Sequence, residues 1–141
     1  MTMTSSPLDN LVRIGKLKAE PPAQAELVRS GLVRLRDAEN AALSLESRFD
    51  LAYNAAHALS LAALRWHGYR SENRYLVFQS LTHTLTLDAA QWRVLDQAHN
   101  KRNLAEYEGD LDVDDALVEA LIRTAQTVAE RVAALGPVAQ G

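Results

Sequence analysis

The sequence predicts an all-α protein, an up-and-down bundle of four to five long helices. Apolar residues recur at three- and four-residue steps over most of the chain. No stretch alternates with the period of two that a half-buried strand requires, and no internal repeat or low-complexity run emerges. The breaks fall at proline, glycine and cap-type residues with short connections between them, which suits antiparallel neighbours. A chain of 141 residues, 48% hydrophobic and 23% charged, is long enough for one domain with one core.

In chain order, residues 1–22 form an N-terminal tail and a short helix. The tail covers residues 1–7; the helix, 8–18, carries Leu8, Leu11, Val12 and Leu17 and is weakened by Gly15. Glu20-Pro21-Pro22 then breaks the chain, because proline disfavours helix before it and suits the first turn after it. Residues 23–136 make the helical domain and 137–141 a C-terminal tail.

The second helix is expected over 23–45, with Leu27, Val28, Leu32, Leu35, Ala38, Ala42 and Leu45 inward and its arginines on a solvated face. The third begins at Ser47, with Asp50 in a weak capping box, and ends against Gly68. Its many alanines let a neighbouring helix approach closely, which makes it the central helix and suggests a homodimer. Residues 68–73 connect to a shorter helix, 74–85, with Leu76, Val77, Leu81 and Leu85 inward. Asp88 and Gln91 form the capping box of a fifth helix that stops at Gly109. A last helix, 113–135, has Leu117, Leu121, Val128 and Val132 as its core line. Asp112, Asp114 and Asp115 at its start favour the positive end of the helix dipole.

Composition excludes several classes of function. A formal charge of −3 with no long basic run argues against bulk electrostatic capture of nucleic acid. Without cysteine there is no disulfide, thiolate metal site or cysteine nucleophile. The start MTMTSSPLDN has neither a basic region nor an apolar core, so no signal peptide is expected. The most apolar run, 51–66, is too short to span a bilayer and contains Asn54, His57 and Arg65. A cytoplasmic protein with no membrane association is expected. No phosphate loop, nucleophile elbow or paired-histidine metal motif is present, so neither a cofactor nor a metal is expected.

The polar chemistry concentrates in QAHNKRNLAEYEG, residues 97–109. At about 100° per residue, His99, Arg102, Asn103 and Glu106 share about a third of the helix circumference, and Tyr107 lies beside Asn103. The same face carries Leu95 and Trp92 a turn or two earlier, so a buried stripe runs into imidazole, guanidinium, amide and carboxylate. Arg102 and Glu106, four apart, also have the spacing of a simple intrahelical ion pair worth a few tenths of a kcal/mol. On the third helix Asp50, Tyr53, Asn54 and His57 form a second polar stripe. His57 reads as a hydrogen-bonded core histidine, His67 as a helix-end residue that complements the dipole, and His83 has no assigned role.

Taken together, SRFDLAYNAAHALSLAALRWHGYR, RYLVFQSLTHTL and HNKRNLAEYEG before a last helix resemble the HEPN superfamily over residues 46–131. These are small all-α domains associated with nucleotide or RNA binding. In ribonuclease members an arginine, followed after four to six residues by a histidine, meets its copy across a homodimer to cleave RNA. The resemblance maps that arginine to Arg102, its polar neighbour to Asn103 and the histidine to Tyr107. A phenol of pKa about 10 is a poor general base at neutral pH, where imidazole exchanges protons readily. Arg93 and His99 also have the formal spacing, but one to two turns early and with the arginine on another face.

The resemblance therefore implies a non-catalytic dimer that binds RNA, a nucleotide or a partner protein. Arg102 would hold phosphate, His99 and Asn103 would add hydrogen bonds, and Tyr107 would stack or donate. Asp50 and Asn54 would orient Arg102 from across the groove. It also implies a possible small nucleotidyltransferase partner, as in toxin–antitoxin pairs. Two alternatives remain open. One is a metal-independent endoribonuclease using Arg102 and His99; the other is a structural scaffold in which Arg102 pairs internally with Glu106 or Asp50.

Overall fold

A computed structural model describes residues 7–138; of the expected tails, 1–7 and 137–141, residues 1–6 and 139–141 lie outside them, and Pro7 belongs to the first helix. The chain is an all-α bundle with four long helices. In order, the elements are α1 (Pro7–Arg13), β1 (Lys18–Ala19), α2 (Ala25–Ala38), α3 (Leu45–Trp66), β2 (Tyr69–Arg70), α4 (Arg74–Gln79), α5 (Leu81–Thr84), α6 (Ala89–Glu108) and α7 (Asp115–Leu135).

α3 is the centre. Ala52, Ala55, Ala56, Leu59, Ala62 and Ala63 are fully buried, and α2, α7, α4, α5 and β2 all pack on it. The small side chains do admit a close neighbour, but that neighbour is α2 of the same chain. A Cβ on Gly31 would lie 2.6 Å from Leu59 Cγ and 2.9 Å from its Cδ2. The alanine face is thus used up inside the monomer and offers nothing to a second copy. Since Leu59 is fully buried, Gly31→Ala is expected to cost about 1–3 kcal/mol of overpacking, read as a lower urea midpoint at unchanged slope.

Two local expectations fail for the same reason, that turn chemistry overrides apolar spacing. The second helix stops at Ala38, not at 45, and Leu32 and Ala42 are exposed. Asn40 Oδ1 accepts from the Ala42 backbone amide at 3.0 Å, and Ser44, not Ser47, caps α3 by accepting from Ser47 N at 3.1 Å. Arg48, whose side chain is mostly buried, closes the break. Its Nε donates to the Ala38 carbonyl at 2.9 Å, and its Nη2 pairs with Glu119 of α7 at 3.0 Å. The helix expected over 74–85 is likewise divided at Ser80, whose hydroxyl donates to the Val77 carbonyl at 2.6 Å.

The chain also contains a strand pair that alternation did not announce. β1 and β2 run antiparallel, Lys18 opposite Arg70 and Ala19 opposite Tyr69. Two residues each are too few to show a period. Glu20 then receives Arg65 at 3.1 Å and Arg70 at 3.5 Å, which pins the proline break to the end of α3. The Asp88–Gln91 capping box forms as expected, and α6 ends at Gly109 in the left-handed region, φ 72°. α7 starts from Asp114, which accepts from Leu117 N at 2.8 Å. Val118, Ile122 and Ala125 are buried beside the expected core line of α7. Among the described residues no helix is long and apolar enough to cross a membrane.

Candidate functional site

Tyr53 is where the two polar stripes meet. It projects from α3 into the core, 1% exposed, with its ring stacked on Phe49 and edge-on to Phe78 of α4. The hydroxyl lies 3.0 Å from His99 Nδ1 on α6. On the far side of that imidazole, Nε2 lies 3.1 Å from the Asn103 amide nitrogen, one helical turn on. With the amide donating to Nε2, the ring proton sits on Nδ1 and is donated to the Tyr53 oxygen.

Two guanidiniums converge on the same phenol. Arg102 Cζ is 5.0 Å from the Tyr53 ring centroid and Arg74 Cζ is 5.6 Å from it, both within cation–π range. Arg102 Nη1 also meets Asp50 Oδ1 at 3.2 Å, in a pair whose carboxylate is 59% exposed. Arg74 Nη1 donates to Asn54 Oδ1 at 3.1 Å, and Asn54 donates in turn to the Asp50 carbonyl at 2.8 Å. Asp50 therefore orients Arg102 from α3, whereas Asn54 serves Arg74 instead. No ion pair joins Arg102 to Glu106 among the described residues; Glu106 reaches the cluster through its charge alone.

The electrostatics keep the ring groups neutral. Burial pushes His99 below the ordinary imidazole value; Arg74 and Arg102 add to the shift, while Asp96 and Glu106 oppose it. Burial raises the Tyr53 phenol, against the pull of Arg74 and Arg102. His57, one turn along α3, is lowered to about 4 by burial and secondarily by Arg74. Its ring stands edge-on to Phe78, and its Nε2 is buried without a hydrogen-bond partner, so it is not the hydrogen-bonded core histidine its position suggested.

The cluster thus gathers Asp50, Asn54, His57, His99, Arg102 and Asn103, with Glu106 at its edge. Tyr107 stands apart, 93% exposed on the last turn of α6. Sequence reasoning missed Arg74 and gave Tyr53 too small a part. The available signal was Asn73, whose side chain caps α4 at Leu76 N and so places Arg74 in the first helical turn, facing α3. It also missed Asp96, which accepts the Tyr75 hydroxyl at 3.0 Å.

Chemically, the site offers two cations, one exposed carboxylate that can give way, and an imidazole whose two nitrogens are both engaged. Beyond Arg102 a groove of about 350 Å³ is acidic, with Glu46, Asp50, Glu106 and Asp110 on its walls. Arg102 itself lines this groove, whereas Arg74 and His99 do not. Among the described residues no group of three His, Asp or Glu side chains is placed to hold a metal ion. No family model matches the chain, and neither a curated protein nor a solved structure matches it.

Proposed function

We propose that this chain is a non-catalytic binding module of the HEPN type that residues 46–131 resemble, taking the phosphate of a nucleotide or short single-stranded RNA between Arg74 and Arg102. The observation that carries this reading is the convergence of both guanidiniums on one buried phenol while, among the described residues, only one carboxylate, itself mostly exposed, is bonded to them. A phosphate brings more charge and more acceptor oxygens than Asp50 and can replace it. The acidic surround of Asp50, Asp96, Glu106 and Asp110 disfavours long duplexes held by bulk charge, and favours a small ligand gripped at one or two phosphates.

Cleavage is not favoured. His99 is held by Tyr53 on one nitrogen and Asn103 on the other, and the phenol that stands where the resemblance expects histidine is out in solvent. The homodimer and a nucleotidyltransferase partner belong to the same reading. With α3 covered by α2, they rest on the resemblance and not on the alanine face.

The test is titration of a short 5′-phosphorylated RNA in EDTA, by calorimetry for binding and by gel for cleavage. Arg74→Ala and Arg102→Ala are each expected to weaken binding about tenfold or more, the scale of a hydrogen bond to a charged group, with no strand scission in any variant. Scission lost in both Arg102→Ala and His99→Ala would establish the endoribonuclease instead. A lowered melting temperature in Arg102→Ala with unchanged binding would leave only the scaffold.

A further inference from the structure

The anion site continues along α6 into aromatic surface. Trp92 lies seven residues before His99, two turns or about 10 Å along the same helix face. Tyr75 fills the interval, its ring 5.1 Å from the His99 ring and 5.6 Å from that of Trp92. Beyond Trp92 opens a pocket of about 380 Å³. Leu11 of α1, Leu76 and Trp92 supply apolar walls, and Gln79, Thr82 and His83 supply polar ones. Gln79 and His83 are exposed, and among the described residues their side chains make no hydrogen bond.

An indole on the wall with donors and acceptors at the rim suits a heteroaromatic ring. It stacks on the face and satisfies its edge nitrogens and carbonyls at the margin. A purely aliphatic ligand would leave Gln79 and His83 unused, and an extended peptide would need a longer trough. Cations at one end and a stacking platform at the other also reproduce the two components by which proteins hold single strands.

We propose that the Trp92 pocket binds a nucleobase of the ligand whose phosphate lies between Arg74 and Arg102. This rests on the phosphate-binding reading above and adds to it the base-recognition end of the site. Trp92 is the stacking surface, Gln79 and His83 contact the base edge, and Tyr75 spaces the two ends.

The experiment compares a 5′-phosphorylated diadenylate with an abasic dinucleotide of the same phosphate content, by calorimetry on the full chain. The base-bearing ligand is expected to bind about tenfold more tightly. Trp92→Leu, which keeps apolar volume, should abolish that advantage and leave the abasic affinity unchanged. Trp92→Phe should restore most of it. If Trp92→Leu does not fold, the double variant Gln79→Ala/His83→Ala changes exposed groups only and should cut the advantage severalfold. Equal affinities of wild type for the two ligands would overturn the pocket while leaving the phosphate site standing. An advantage that survives both Trp92→Leu and the double variant would place the base elsewhere. Binding of neither ligand would remove the pocket and the phosphate site together.

Discussion

Tyr53→Ala is expected to lower the unfolding free energy by about 3–5 kcal/mol, the cost of truncating a fully buried aromatic residue. The ring is 1% exposed and touches Phe49 on its own helix and Phe78 on α4, so its loss opens a cavity between α3 and α4. Tyr53→Phe separates ring from hydroxyl. It keeps the packing and both cation–π contacts, loses the hydroxyl's bonds to His99 Nδ1 and to Arg74, and should cost about 1 kcal/mol. The two variants also bear on the site. In Tyr53→Ala the guanidiniums of Arg74 and Arg102 lose their shared platform, so phosphate affinity falls along with stability. In Tyr53→Phe it should be retained. Urea denaturation of both variants, followed by calorimetry of whichever is folded, checks this; a Tyr53→Ala protein as stable as wild type would show that the phenol is not the keystone of the α3–α4–α6 junction.

What the sequence disclosed of this junction, and what it did not, follows from the range of each signal. Helical periodicity gives the angle of a residue around its own axis, so the shared face of His99, Arg102 and Asn103 was legible, as was the caps' placement at Asp88 and Gly109. Angle says nothing about how far neighbours extend along that axis. Tyr107 has a suitable angle, yet the residue is 93% exposed. Nor does periodicity say which helix is opposite. Arg74 reads as an ordinary solvated charge until α4 is laid across α3, 20 residues away from the Asn54 it bonds. Asp50 and Asn54 were both expected to orient Arg102 from across the groove; Asp50 does so at 3.2 Å, while Asn54 bonds Arg74. The break at 39–44 was illegible for a different reason. Its apolar residues kept the helical spacing, while the decisive groups were Asn40, Ser44 and an arginine ten residues beyond the carbonyl it caps.

His57 supplies the largest pH effect. Its imidazole ordinarily titrates at 6.5 and in the fold at about 4, because burial beside Phe78 and the charge of Arg74 both disfavour the cation. Between those values the unfolded chain binds the proton and the native one does not, so protonation pulls towards unfolding. The contribution is intact above pH 6.5, declines as pH falls, and levels off below about 4. At pH 5 the loss amounts to about 2 kcal/mol relative to pH 7. His99 shifts in the same direction, so the effect of His57 is isolated by difference. His57→Leu removes the titrating group and also an Nε2 that is buried without a partner, a change that should be nearly neutral at pH 7. At pH 5 the variant is expected to be more stable than wild type by about 2 kcal/mol, with the two converging above pH 7. Urea midpoints at several pH values decide it. Stability curves that run parallel from pH 7 to pH 5 would mean that His57 protonates freely in the native state, and that the α3–α4 contact opens to water more readily than its packing implies.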